Sequence, residues 1–237
     1  RRCFYDGRSR EYTPVFVTAN GVKRLTIDNC LITRGFHGAY FWRCPDLVIK
    51  NSVWFNNQID HFYIHNMPGE IATLSKNVFW DVIPVKLRNP LMSSLNIESL
   101  RESGNCWCLR VPENYRNLIG YTRIEGDQVQ AKVNYQQFLA DAEQERTSFF
   151  LNPGFAAVPE IAAFQMPEAV PQDLPALYKE LDKQERELTK KAEAEEQKWN
   201  GKNYEPLDFS GFFATNPACV ENRIGLIPEL FENGVAQ

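Results

Sequence analysis

The sequence predicts an all-β solenoid followed by one long α-helix and an extended C-terminal strap. Three observations carry that expectation. A segment of about 23 residues is laid on top of itself between Thr33 and Pro90. Short strand phrases with Asn at their corners recur at similar spacing. A single helical pattern runs from Asp173 to Asn200. In the first of these, Ala39-Tyr40-Phe41-Trp42-Arg43 lies above Phe62-Tyr63-Ile64-His65-Asn66, which lies above Val85-Lys86-Leu87-Arg88-Asn89, with an offset of 23 residues both times. A fixed period of twenty-odd residues is the mark of a stacked repeat, because one unit cannot bury its apolar face alone.

Residues 1 to 14 are polar and basic and read as a loop. Val15 to Thr18 reads as the first strand, turning at Asn20-Gly21. In the three aligned rows, Ala39, Phe62 and Val85 share an apolar column with Phe41, Ile64 and Leu87 two residues on. Alternate side chains of a strand point to opposite faces, so these columns point into a core. The intervening columns, Tyr40/Tyr63/Lys86 and Trp42/His65/Arg88, form a face of aromatic, imidazole and cationic groups. A second strand follows the first two rows, Leu47 to Val53 and Leu74 to Phe79, with an earlier copy at Leu25 to Leu31. Asn29 and Asn51 occupy matching places and suit either a stacked Asn ladder inside a turn or ordinary turn positions, with Asn77 one residue out of step.

Coils of this kind are expected over residues 1–110, and residues 111–170 are expected to cover the end of the stack. Within that cap region, Asn134 is placed to start a short helix over Tyr135 to Arg146, and Ser148 to Pro153 returns to extended chain. Residues 171–237 hold the long helix and the strap. Asp173 is the expected N-cap, Pro175 sits in the first turn and Gly201 is the stop. Leu174, Leu177, Tyr178 and Leu181 begin the helix's apolar stripe. That stripe suits either a helix packed on the solenoid flank or an arm reaching another subunit. Tyr204 to Gln237 has no periodicity but many apolar anchors, among them Leu207, Phe209, Phe212, Phe213, Ile224, Leu226 and Phe231, so it is expected to lie against the solenoid.

The phrases Leu25 to Leu31 and Leu47 to Phe55, together with Gly104-Asn105-Cys106-Trp107, Tyr135 to Leu139 and Asn152-Pro153-Gly154-Phe155, carry a resemblance to a known family. At these residues the chain resembles the right-handed parallel β-helix proteins of the pectate-lyase-like superfamily, over roughly residues 15 to 160. The resemblance implies a right-handed parallel β-helix. It leaves activity open, because that fold hosts lyases, hydrolases, epimerases and non-catalytic adhesins. Calcium is common among the lyases it resembles, but a calcium site needs several clustered acidic ligands, and the repeat offers only scattered ones. No cofactor is assigned on this basis.

Composition narrows the partners. The chain has 237 residues, is 43% hydrophobic and carries a net charge of −4. Mild acidity argues against nucleic acid, whose phosphates need a basic surface. No apolar run reaches the ~20 residues that span a bilayer. The chain opens Arg-Arg-Cys without Met or signal peptide, and no residue before Val15 resembles a cap for a first coil; further β-helix coils or a partner chain are expected before Arg1. Of the six cysteines, Cys30 and Cys44 read as small apolar fillers. Cys106-Trp107-Cys108 lacks the spacing of a zinc pair.

All three histidines, His37, His61 and His65, fall in the repeat. His61, Tyr63 and His65 share one face of an alternating strand. The neighbouring rows are expected to place Tyr40 and Trp42 on one side of them and Lys86 and Arg88 on the other, about 4.8 Å away. Three readings follow. A polysaccharide lyase needs the uronate carboxylate neutralised, a base and a proton donor. Arg88 suits the first role, Lys86 or His65 the second, with His61 beside them, and Tyr63 the third, while Tyr40, Trp42 and Arg43 hold the sugar. A glycoside hydrolase needs two flanking carboxylates; Asp46, Asp60, Glu70 and Asp81 are near, but no two share a face. A non-catalytic glycan-binding or structural solenoid needs only the aromatic and cationic columns. A metal site from His37, Asp60, His61 and His65 matches no ligand motif, and no metal ligands are expected. The reading taken forward is a carbohydrate-active protein acting on an anionic polysaccharide, extracellular or periplasmic, with the non-catalytic solenoid as its alternative.

Overall fold

The computed structural model describes residues 3–6, 15–33, 35, 37–57, 60–81, 92–94, 99–109, 120–125, 128–134, 147–156, 165, 167–196 and 209–232. Its strands are β1 (Phe4–Asp6), β2 (Val15–Asn20), β3 (Thr26–Asp28), β4 (Leu31–Thr33), β5 (His37–Trp42), β6 (Leu47–Lys50), β7 (Val53–Phe55), β8 (Asp60–His65), β9 (Ala72–Ser75), β10 (Val78–Asp81), β11 (Met92–Ser94), β12 (Leu100–Ser103), β13 (Cys106–Leu109), β14 (Gly120–Glu125) and β15 (Gln128–Asn134). They form three sheets: A, in the order β1-β4-β7-β10-β13; B, in the order β15-β14-β11-β8-β5-β2; and C, in the order β12-β9-β6-β3. From β2 onward the chain visits B, C and A in turn and begins again. Every pairing is parallel except β14 with β15, which are antiparallel. This mostly-β arrangement of parallel sheets stacked in register is that of a β-solenoid.

Alternation sorts the side chains as the sequence predicts. Sheet B turns Ala39, Phe41, Phe62 and Ile64 inward, and sheet C turns Leu47, Ile49, Ala72 and Leu74 inward. Sheet A contributes the column Ile32, Trp54, Phe79, Trp107. Phe79 stacks on Trp107 at 4.2 Å, and Trp54 meets Phe62 edge-on at 4.8 Å. Large rings fill the interior in the offset and T-shaped arrangements that their charge distribution favours. In the last coil the column Ile27, Ile49, Leu74 ends in Glu102. That buried carboxylate accepts from Asn105 Nδ2 at 2.5 Å and from the Ser148 hydroxyl, so the apolar column stops on a paired polar group.

The corner from sheet C to sheet A has a fixed length. Five residues separate Ile27 from Ile32, Ile49 from Trp54, Leu74 from Phe79 and Glu102 from Trp107. Each corner contains one left-handed residue: Asn29, Asn51, Lys76 and Gly104, all with φ between 49° and 57°. The residue after it carries the ladder. Ser52 Oγ accepts from Cys30 N at 3.1 Å, Asn77 Oδ1 from Ser52 N at 3.1 Å, Asn105 Oδ1 from Asn77 N at 2.8 Å, and Ser148 Oγ from Asn105 N at 2.8 Å. Asn29 and Asn51 therefore occupy the left-handed column and not the ladder, and Asn77 is in the ladder. Asn tolerates left-handed backbone better than other residues with a Cβ, so both columns attract Asn, one residue apart.

The corner from A to B is elastic. Nine residues lead from Ile32 to Phe41 and ten from Trp54 to Ile64, but fifteen lead from Phe79 to Ser94. This lengthening overturns the third row of the sequence alignment. The strand laid on β8 is β11, which pairs Met92 with Phe62 and Ser93 with Tyr63. The row Val85 to Asn89 does not take that place, and it lies outside the described residues.

The rest of the chain attaches to this stack. Phe149 bridges to Cys106 at the edge of sheet A. The expected short helix over Tyr135 to Arg146 lies outside the described residues. The observed helix α1 (Leu174–Glu196) is capped by Asp173, whose Oδ1 accepts from Ala176 N at 3.0 Å. Leu177 and Leu181 are buried with the inner core, with Leu174 and Tyr178 half-buried against it, so the first turns of α1 are packed on the body. Gly201 lies outside the described residues. The strap is not extended. It forms a 3-10 turn (Phe209–Phe212) and two short helices, α2 (Pro217–Glu221) and α3 (Glu229–Glu232). Asn216 caps α2, accepting from Ala218 N, and Pro217 supplies the preset first helical residue.

Phe212, Cys219, Ile224 and Leu226 cover the outer face of sheet A, against Leu31, Val53, Phe55, Val78, Trp80, Cys106 and Cys108. Phe55 stacks on Trp80 at 4.3 Å and meets Phe212 edge-on at 5.0 Å. Backbone bonds from Gly225 N to Lys76 O and from Ile227 N to Asn29 Oδ1, both 2.8 Å, pin the strap to the left-handed column. Gly225 has φ +90°, and an added Cβ would lie 3.0 Å from Val78, so glycine is required there.

Candidate functional site

The outer faces of the three sheets differ. A is covered by the strap. C is polar, with Lys50 and Asp28 3.6 Å apart across neighbouring strands. B carries the aromatic columns. Its register places Thr18, Tyr40 and Tyr63 in one outward column, with Asn20, Trp42 and His65 in the next. The described strap residues pack on A, so they leave this face of B outside their footprint.

The rings on B form one continuous row. His37 lies 4.7 Å from Tyr40, and Tyr40 lies 5.4 Å from Tyr63. Trp42 stacks on Tyr63 at 5.5 Å and on His65 at 4.7 Å, with interplanar angles of 27° and 18°. Trp42 is 41% exposed; the other four rings are half-buried. Both residues beneath the indole belong to the following coil. Its other face therefore looks along the stack towards Asn20, a small exposed side chain of the coil before.

Charge borders the row. Arg43 takes left-handed backbone directly after Trp42, and its guanidinium lies 4.0 Å from the Glu70 carboxylate. The side chain of Arg43 is 62% exposed, so this ion pair is weak and its cation remains available to an anion. The second Glu70 oxygen accepts from Met67 N at 2.8 Å, which holds the loop after β8 beside the row. The Nδ1 of His65 is buried, with no hydrogen-bond partner among the described residues.

His61 does not join this face. It is fully buried, with its ring 5.4 Å from Phe79. Asn57 explains its place. The Asn57 Oδ1 accepts from Gly35 N at 3.0 Å, which fixes the amide so that its Nδ2 donates to His61 Nδ1 at 3.1 Å. The imidazole then carries its proton on Nε2. Alternation points His61 outward, but it sits at the corner where the strand begins, opposite Gly38. A Cβ on Gly38 would fall 2.1 Å from the His61 carbonyl oxygen and 2.9 Å from the Trp54 ring. The missing side chain lets the two coils close around the histidine. A glycine opposite a histidine in the repeat is the signal the sequence held for this.

Of the residues singled out from sequence, Tyr40, Trp42, Tyr63 and His65 come together, with Arg43 and His37 at the margin. Lys86 and Arg88 lie outside the described residues. Asp60 pairs with His37 in the β5–β8 register. Glu70, weighed as a carboxylate, is the partner of Arg43. Among the described residues no three His, Cys, Asp or Glu side chains are placed to hold a metal ion, and no helix is long and apolar enough to cross a membrane. No family model, curated protein or solved structure matches the chain.

Proposed function

We propose that this chain is a right-handed parallel β-helix of the pectate-lyase-like kind, and that the aromatic row on sheet B holds an anionic polysaccharide outside the cytoplasm. The observation that carries the reading is the exposed Trp42, stacked on His65 and Tyr63 and followed directly by the exposed Arg43. Sugar rings present apolar C–H faces that pack on indole, and their carboxylates or sulfates take a guanidinium bidentately. A polymer engaging the row would run along the solenoid axis, crossing the strands, since the rings repeat from coil to coil. Calcium bridging is not required by this reading.

A second reading, a polysaccharide lyase, is favoured by one specific feature. The half-buried His65 lies beside Tyr63, which supplies a base and a proton donor on one face. In this reading the exposed Arg43 at the margin of the row neutralises the uronate. His61, held by Asn57, orders the corner and does not touch substrate.

One experiment separates the readings. The protein is screened on uronic-acid and sulfated polysaccharides, measuring retention in affinity gels, reducing-end release and absorbance of an unsaturated product. Trp42→Ala and His65→Ala are run alongside. Retention on an anionic polymer that Trp42→Ala reduces at least tenfold, with an unchanged melting temperature, supports the binding face. Absorbing product abolished by His65→Ala adds the lyase. No retention and no product from any polymer ends both readings.

A further inference from the structure

The covered face of sheet A ends in thiols that the polysaccharide reading does not use. Cys106 and Cys108 point outward from β13, on either side of the inward Trp107. Cys219, on α2, packs onto them. Cys106 and Cys219 are both fully buried, and none of the six cysteines is in a disulfide. Both belong to one buried cluster over sheet A, and the Cys106 thiol donates to Leu151 O at 3.4 Å. The helix that carries Cys219 is itself fixed. Thr215 N and Asn216 N both donate to Pro153 O at 2.9 Å, and Ile224 N returns to Cys219 O at 2.8 Å. Two thiols from distant parts of the chain are thus brought into one buried cluster by independent backbone anchors.

We propose that Cys106 and Cys219 are a disulfide-forming pair that fastens the C-terminal strap to the last coil. The inference rests on this shared burial and anchoring and stands or falls separately from any ligand of sheet B.

The reaction needs a disulfide oxidant, either an oxidised thiol–disulfide oxidoreductase or a small-molecule disulfide. The Cys219 thiolate attacks one sulfur of the oxidant, forming a mixed disulfide and expelling one thiolate. Cys106 then gives up its proton and attacks the Cys219 sulfur, expelling the second. Two protein thiols lose two protons and two electrons, and the oxidant leaves as two thiols. The neighbouring Cys106 lowers the pKa of Cys219, while Cys219 and burial raise the pKa of Cys106. Cys219 is therefore the better attacking group and Cys106 the resolving one. Burial of both sulfurs excludes the oxidant from the closed protein, so the first attack happens before α2 has docked or while it is lifted. The ring so closed contains more than a hundred residues, and a ring of that length restricts the unfolded chain strongly. Cys108 shares the outward face but is two residues from Cys106 along the same strand, where a mutual bond would distort β13. Such a bond forms and persists in an oxidising compartment.

The test is to refold the reduced protein in a mixture of reduced and oxidised glutathione, alkylate free thiols, digest, and identify linked peptides by mass spectrometry. The backbone N–H of Cys3 donates to Cys30 Sγ at 3.3 Å, a second cysteine pair close together, so the linkage itself must be read and not a thiol count. A peptide joined through Cys106 and Cys219 is expected. It should persist in Cys108→Ser and vanish in Cys219→Ser, with a thermal midpoint roughly 5–10 °C above that of the dithiothreitol-treated protein. Recovery of Cys106 and Cys219 alkylated, after denaturation, from protein refolded in the glutathione mixture overturns the proposal, as does Cys106 linked to any other cysteine. If Cys219→Ser does not fold, the wild-type peptide map with and without oxidant decides.

Discussion

At the scale of single residues, two asparagines of similar appearance do different work. Asn77 is fully buried. Its Oδ1 accepts from Ser52 N, and its Nδ2 donates to Ile49 O at 2.9 Å and to Asn105 Oδ1 at 3.0 Å. Asn77→Ala strands several buried groups and is expected to cost about 2–4 kcal/mol in urea unfolding. Asn51 has φ 49° and bonds outward to Asp28. Asn51→Gly keeps the backbone and should change stability by less than about 0.5 kcal/mol. If the two variants lose equal stability, the assignment of columns is wrong. Gly38→Ala is the severe case, since its Cβ would overlap the His61 carbonyl. A loss of more than about 3 kcal/mol, or failure to fold, is expected. The sequence shows that Asn recurs at a corner but not which of two adjacent Asn columns faces in, because left-handed backbone and ladder bonding favour the same residue. It also shows alternation without showing where a strand meets its corner, which is why His61 reads as a surface group.

At the scale of elements, what could be read was what repeats. The inward columns of β5, β6, β8 and β9 follow from period two alone. Val85-Lys86-Leu87-Arg88 alternates as well as any of them, and periodicity carries no sign that the A-to-B corner has lengthened before β11. The hairpin β14–β15 did have a signal, two alternating runs separated by Gly126-Asp127. The strap's helices also had one, in Asn216-Pro217. The strap is where an element can be tested without touching sheet B. Phe212 is fully buried against Phe55 and Phe155. Phe212→Ala should cost about 3–5 kcal/mol. It should also open the segment after Pro153 to proteases while retention of an anionic polymer by sheet B persists. Proteolytic cleavage at unchanged rate would show that the strap is held elsewhere.

At the scale of the whole molecule, the buried thiol of Cys30 ties stability to pH. Burial is the main cause that raises its pKa from 9.0 to about 11, with the Cys3 backbone N–H pulling weakly the other way. The folded protein keeps this group neutral where the unfolded chain would ionise it. Its contribution is therefore complete below pH 9 and is lost as pH rises towards 11. Under reducing conditions, the alkaline fall in melting temperature between pH 9 and 11 is expected to be shallower in Cys30→Ala than in wild type. Parallel curves would place the alkaline instability in other groups.

The contrast between the two corners has a consequence for how such a chain tolerates change in length. The five-residue C-to-A corner acts as a fixed gauge. It sets the phase of each coil, so a deletion or insertion of one residue there would turn a whole strand inside out. The A-to-B corner already absorbs six residues between one coil and a later one while the strands on either side keep their partners. New segments, whether acquired by drift or grafted by design, should be accepted at that corner and rejected at the other. Whatever they carry would be delivered to the same edge of the aromatic face.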